Sequence, residues 1–70
     1  LMKYTLYIGE DCHECDEVVE FIQANNHPVR IVNIDKEDEE PPVPIYVRPT
    51  LFEGREIVAY GSDVIKYFGK

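Results

Sequence analysis

The chain lacks any long apolar run: nowhere do its 70 residues approach the roughly 20 consecutive apolar positions that a membrane helix needs. It is short of positive charge as well. Seven Lys and Arg stand against fourteen Asp and Glu, a net charge of −7, so the field of the whole molecule repels phosphate backbones and anionic lipid. Neither nucleic acid nor membrane is an expected partner. The opening, Leu1-Met2-Lys3-Tyr4-Thr5, has no basic stretch, apolar core and small-residue cleavage site of the secretory kind, so the expected compartment is cytoplasmic. There is too little chain for a second domain or a large-enzyme architecture, and residues 1–70 are read as one soluble domain with a modest core. Cysteine is scarce too. A bridge between the two present, Cys12 and Cys15, would close a loop too short to remove much unfolded-chain entropy. That points away from a stabilising staple and towards chemistry.

What is present is 44% apolar residues with 11% aromatics, ordinary for a folded globule. Lys3 to Ile8 alternates, with Tyr4, Leu6 and Ile8 on one face and Thr5 and Tyr7 on the other, the period of a strand. Gly9-Glu10 breaks it. Asp11 followed three residues later by Glu14 is a variant capping box, so a helix is predicted from Cys12 with Asp11 as its cap. Cys15, Val18, Val19 and Ile22 recur at helical spacing as its buried stripe, and Asn25-Asn26-His27-Pro28 ends it. Val29 to Ile34 is a second strand, parallel to the first after a crossover of this length. The acidic run 35–40 is too charged to pack, and Pro41, Pro42 and Pro44 forbid a regular helix after it, which leaves a solvated loop. Thr50 to Phe52 and Glu56 to Tyr60 flank the turn Glu53-Gly54-Arg55 as an antiparallel pair. Ser62 is read as the cap of a last helix, Asp63 to Phe68, that stops at Gly69. The order β-α-β, loop, β-β-α makes the class α/β.

The sharpest feature is Cys12-His13-Glu14-Cys15, a C-x-x-C where a strand passes into a helix. At the first turn Cys12 lies beside unpaired backbone N–H groups and the positive end of the helix dipole, and both stabilise a thiolate. Cys15, one turn deeper, is the more buried. A low-pKa thiolate attacks a disulfide, and a second thiol one turn away displaces the product, leaving a Cys12–Cys15 disulfide. The other readings of the pair are a zinc or iron–sulfur ligand set and inert packing cysteines. His13 and His27 are the only histidines, one facing away between the thiols and one at the far end of the helix, so a metal would need a second copy of the chain.

Over nearly its whole length the chain resembles the thioredoxin-fold superfamily, and within it the small glutaredoxin-like redoxins. The residues that carry the resemblance are the strand–Cys-x-x-Cys–helix unit, Arg48-Pro49-Thr50 entering a strand, and Gly61-Ser62-Asp63 opening the final helix, all in the family's order. The resemblance implies a shortened thioredoxin-like fold with a four-stranded mixed sheet. The family's helix between its second and third strands is replaced by the loop. It further implies that Pro49 is cis and packs against the cysteine pair, with Arg48, Pro49 and Thr50 shaping a groove for an extended substrate. In glutathione-binding members the γ-glutamyl end is held at the start of the last helix, which maps onto Ser62 and Asp63. Where a glutaredoxin has Pro and an aromatic between its cysteines, this chain has His13 and Glu14. Glu14, with Asp11, Asp16 and Glu17, opposes the thiolate, while protonated His13 and Arg48 favour it.

The expected function is therefore thiol–disulfide exchange, with Cys12 the nucleophile and Cys15 the resolving thiol. A disulfide-containing protein or glutathione is the partner, and glutathione or a reductase supplies electrons. No tightly bound cofactor is expected. The alternatives are a metal module that holds an iron–sulfur cluster or zinc between two copies, and a non-catalytic interaction domain that offers its acidic loop to a basic protein.

Overall fold

A computed structural model describes residues 2–69; Leu1 and Lys70, the ends of the domain read from the sequence, lie outside the described residues. The elements are β1 (Tyr4–Ile8), α1 (His13–Ala24), β2 (Val29–Asn33), β3 (Thr50–Glu53), β4 (Glu56–Tyr60) and α2 (Asp63–Phe68). They build an α/β unit with a four-stranded mixed sheet in the order β2-β1-β3-β4. β1 runs parallel to β2, with Leu6 beside Ile31 and Ile8 beside Asn33, and antiparallel to β3, with Leu6 opposite Leu51. The α1 crossover permits the parallel pair, whereas β3 is reached through residues 34–49 with no helix between. Among the described residues no helix is long and apolar enough to cross a membrane.

Period-two alternation divides the apolar residues between the faces of the sheet. Leu6, Val29, Leu51 and Ala59 meet Val18 and Ile22 of α1 and Val64 of α2, so both helices cover one face. Tyr7, Val32 and Phe52 form a second cluster on the other face, closed by Ile57 and by Ile34 and Ile45 of the 34–49 segment. The sheet is thus two-sided, which explains why Tyr7, on the face opposite Leu6, is buried as deeply as a core residue. Phe52 is fully buried and packs edge-on against Tyr7, ring centroids 5.3 Å apart.

As expected, the 34–49 segment has no regular helix or strand and residues 35–38 and 40 are exposed, yet it is not detached from the sheet. Its acids are tied to the sheet: Glu39 pairs with Arg30 at 2.9 and 2.5 Å, Glu37 accepts the Asn33 backbone N–H, and Asp35 accepts that of Glu10 at 2.8 Å. The Arg30 guanidinium holds the Glu39 carboxyl below its ordinary value. A charged run can lie against the sheet because alternate carboxylates, residues 35, 37 and 39, each find a donor at the end or edge of β1 and β2.

Candidate functional site

The cysteines sit where β1 hands over to α1. Asp11 adopts a left-handed backbone, φ +51°, and turns the chain so that Cys12 rather than Asp11 becomes the N-cap. This corrects the capping box expected from Asp11 and Glu14. The helix starts one residue later, at His13, and its cap acceptor is sulfur: the Cys15 N–H lies 3.1 Å from Cys12 Sγ. Cys12 and Cys15 are joined in a disulfide, their Cα atoms 5.1 Å apart. Cys15 is fully buried beneath the first turn, whereas Cys12 is half-buried at its tip. Cys12 is therefore the more exposed of the two and Cys15 the sealed one.

Across from the pair stands the entry to β3. The Arg48–Pro49 peptide is cis, Pro49 is buried, and the Arg48 carbonyl oxygen lies 3.9 Å from Cys12 Sγ. Thr50 is fully buried and donates its hydroxyl to the Val47 carbonyl, while the Pro49 carbonyl accepts the Gly61 N–H at 2.8 Å. Arg48 is thus brought to the disulfide, with Pro49 and Thr50 leading from it into β3, and the corner that opens α2 is tied to Pro49. Tyr46 and Val47, just before the triplet, are exposed apolar residues.

His13 and Glu14 part company. His13 projects into solvent and lies 3.6 Å from Glu17, one helical turn on, so its ring is directed along α1. Glu14 reaches across to the α2 corner, where its carboxylate accepts the Ser62 N–H at 3.1 Å. Gly61 makes room for it: a Cβ there would come within 3.2 Å of Glu14 Oε2, and the backbone is left-handed, φ +54°. Ser62 does not cap α2 with its hydroxyl, contrary to expectation, since it has an αR backbone and no side-chain capping bond. Asp63 faces Lys66 at 3.9 Å. Ser62 and Asp63 therefore border the disulfide only through Glu14 and Gly61.

Three residues of this region escaped the sequence reading. Asp35 Oδ2 accepts both the Glu10 N–H at 2.8 Å and the Arg48 guanidinium at 2.9 Å, which links the turn before Cys12 to the segment before Pro49. That backbone bond first, and Arg48 second, hold the Asp35 carboxyl below its ordinary value. Glu10 takes the Asn33 side-chain amide at 2.6 Å and faces Lys36. Gly9 is the floor on which the Arg48 side chain lies, for a Cβ there would fall 2.0 Å from Nη1. The signal was present in the parallel register: pairing Ile8 with Asn33 sets residues 9–10 beside 34–35.

The arrangement can provide a two-electron sulfur couple with one half-buried and one sealed member, a cap donor beside the outer sulfur, and the Arg48 backbone carbonyl facing it. Among the described residues, no group of three or more His, Cys, Asp and Glu is placed to share a metal ion. Compared with protein-family models and with curated proteins, the chain matches none.

Proposed function

We propose that the protein is a thiol–disulfide oxidoreductase of glutaredoxin-like, shortened thioredoxin-like fold. The observation that carries this reading is the asymmetry of one C-x-x-C disulfide at a helix start: Cys12 accessible and capping, Cys15 sealed below it, Pro49 opposite. A purely structural bridge needs neither an exposed sulfur nor a short loop.

In the reduced protein Cys12 ionises. Its thiolate takes over the Cys15 N–H bond that the disulfide sulfur accepts and sits at the positive end of α1. It attacks one sulfur of a substrate disulfide, forming a mixed disulfide and expelling the other sulfur as a thiolate, which takes a proton. Cys15 loses its proton and attacks Cys12 Sγ, and the substrate leaves as its second thiol. Dithiol and substrate disulfide become protein disulfide and two substrate thiols, with two electrons transferred. Glutathione or a reductase returns them.

A disulfide-bearing protein segment is the substrate the surroundings favour. The Ser62 N–H, at the helix start onto which the resemblance maps the γ-glutamyl end, is engaged by Glu14, and acids stand at positions 10 and 11 before Cys12. An extended segment would lie along residues 46–49, where Tyr46 and Val47 offer apolar surface.

The test is intact mass across a series of glutathione redox buffers, for the native protein and a Cys15→Ser variant. Reversible loss of two hydrogens in the native protein, with a glutathione adduct trapped on Cys12 in the variant, supports the reading. Two thiols that stay reduced throughout, or a retained metal, overturn it.

A further inference from the structure

The strongest cation beside Cys12 is Arg48, yet Arg48 meets the sulfur through its backbone carbonyl, at 3.9 Å. Its guanidinium is turned the other way, lying over Gly9 with Nη1 2.9 Å from Asp35 Oδ2. The same oxygen accepts the Glu10 N–H at 2.8 Å, so Asp35 is itself anchored to the turn two residues before Cys12. Because the Arg48 backbone carbonyl lies 3.9 Å from Cys12 Sγ, rotations of the Arg48 side chain alone change the distance between the guanidinium and the sulfur.

We propose that Asp35 is a positioning residue for thiol–disulfide exchange: it parks the Arg48 guanidinium on Gly9 and thereby withholds that cation from the Cys12 thiolate. The proposal rests on Cys12 being the redox nucleophile. The other charged groups around Cys12 differ in availability. Glu10 is held by Asn33 and Lys36 and Glu14 by the Ser62 N–H, both keeping their negative charge, and His13 lies beside Glu17. Asp11 and Asp16 are exposed acids that oppose ionisation. Among the described residues no Lys or Arg side chain pairs with Cys12, so with Arg48 withheld thiolate formation rests chiefly on the helix start.

The experiment uses reduced Cys15→Ser protein and reads, by intact mass, the pH midpoint of iodoacetamide alkylation at Cys12. Asp35→Asn keeps the size of the side chain and removes its charge. A guanidinium released to roughly 7 Å from the sulfur under near-aqueous screening contributes at most about half a pH unit to the fall in the midpoint, up to roughly a threefold larger thiolate fraction near neutrality, and loss of the Asp35 charge adds to it. In an Arg48→Met background the same substitution should move the midpoint by less than half as much, and Asp35→Glu should restore the native value. Gly9→Ala supplies an independent arm: it keeps every charge but displaces the guanidinium, and the midpoint should again fall. An unchanged midpoint in both Asp35→Asn and Gly9→Ala overturns the proposal. So does an equal Asp35→Asn shift with and without Arg48, because Asp35 would then act by its own charge alone. Alkylation requires no exchange activity, which separates the two readings. Midpoints that shift in a protein unable to exchange disulfides would sink the function, whereas active exchange with unshifted midpoints would sink the role of Asp35.

Discussion

Replacing Gly61 with alanine tests whether the Glu14 carboxylate fastens α1 to the α2 corner. The left-handed backbone at φ +54° costs an L-residue about 1–2 kcal/mol, and restricting the unfolded chain returns about 0.4–1 kcal/mol, a net loss of about 1 kcal/mol. The new Cβ would also stand 3.2 Å from Glu14 Oε2 and push the carboxylate off the Ser62 N–H, a charge-assisted bond 3.1 Å long. Exposure reduces that bond to about 1 kcal/mol. The sum, about 2 kcal/mol, lowers the melting temperature by about 8–16 °C in a domain of this size. Thermal denaturation followed by circular dichroism measures it. In a Glu14→Ala background the glycine substitution should cost about 1 kcal/mol, or about 4–8 °C, because the bond is already gone. Equal losses in the two backgrounds would show that Glu14 fastens nothing.

Phe52→Ala removes a fully buried ring, and the expected loss of about 3–5 kcal/mol rivals the stability a core of this size supplies. The variant should show no cooperative melt and collapsed proton chemical-shift dispersion; a native-like melt would mean the second cluster bears little of the fold. Asp35 and Glu39 have folded-state pKa values below their unfolded ones, so the stability they add is present above about pH 4–5 and is lost as pH falls through the lower folded values. Acid titration of the melting temperature should fall more gently in Arg30→Gln, which removes Glu39's partner; superimposable curves would refute the assignment. Tyr67 is pushed up to about 12 by its hydrogen bond with Tyr4, then by burial and by the nearby Glu53. A raised value favours the neutral phenol in the folded state, so stability is full below about pH 10 and declines between 10 and 12. Tyr67→Phe should lose that alkaline decline.

The element order and the parallel and antiparallel pairings could be read in the chain because each rests on a local signal, whereas the approach of Arg48 and Pro49 to the cysteine pair was implied only by the family resemblance. Alternation marked β1, the spacing of Cys15, Val18 and Ile22 marked α1, and Gly54 between apolar triplets marked the hairpin. The capping detail was less legible. Asp11 looks like an N-cap by residue type, but its left-handed backbone passes the role to Cys12. Ser62 looks like a cap too, yet its N–H is met from another helix by Glu14. The acids of 35–39 were invisible as anchors for the same reason: a carboxylate in a charged run reads as solvated until register supplies its donor. Asp35 and Glu39 are bound by groups distant in sequence, Glu10 with Arg48, and Arg30.

The segment that closes the second apolar cluster is also the one that ends at Arg48 and Pro49. Where a helix would cover that face with its own internal hydrogen bonds, this chain uses a strap pinned at Asp35, Glu37 and Glu39 and weighted by Ile34 and Ile45. The strap has one end in the hydrophobic interior and the other on the rim of the sulfur site. Under the proposed thiol–disulfide function, repacking Tyr7, Val32 or Phe52 would therefore also alter the surface beside Cys12, and the sheet's far side would become a place from which reactivity could be tuned without touching either cysteine.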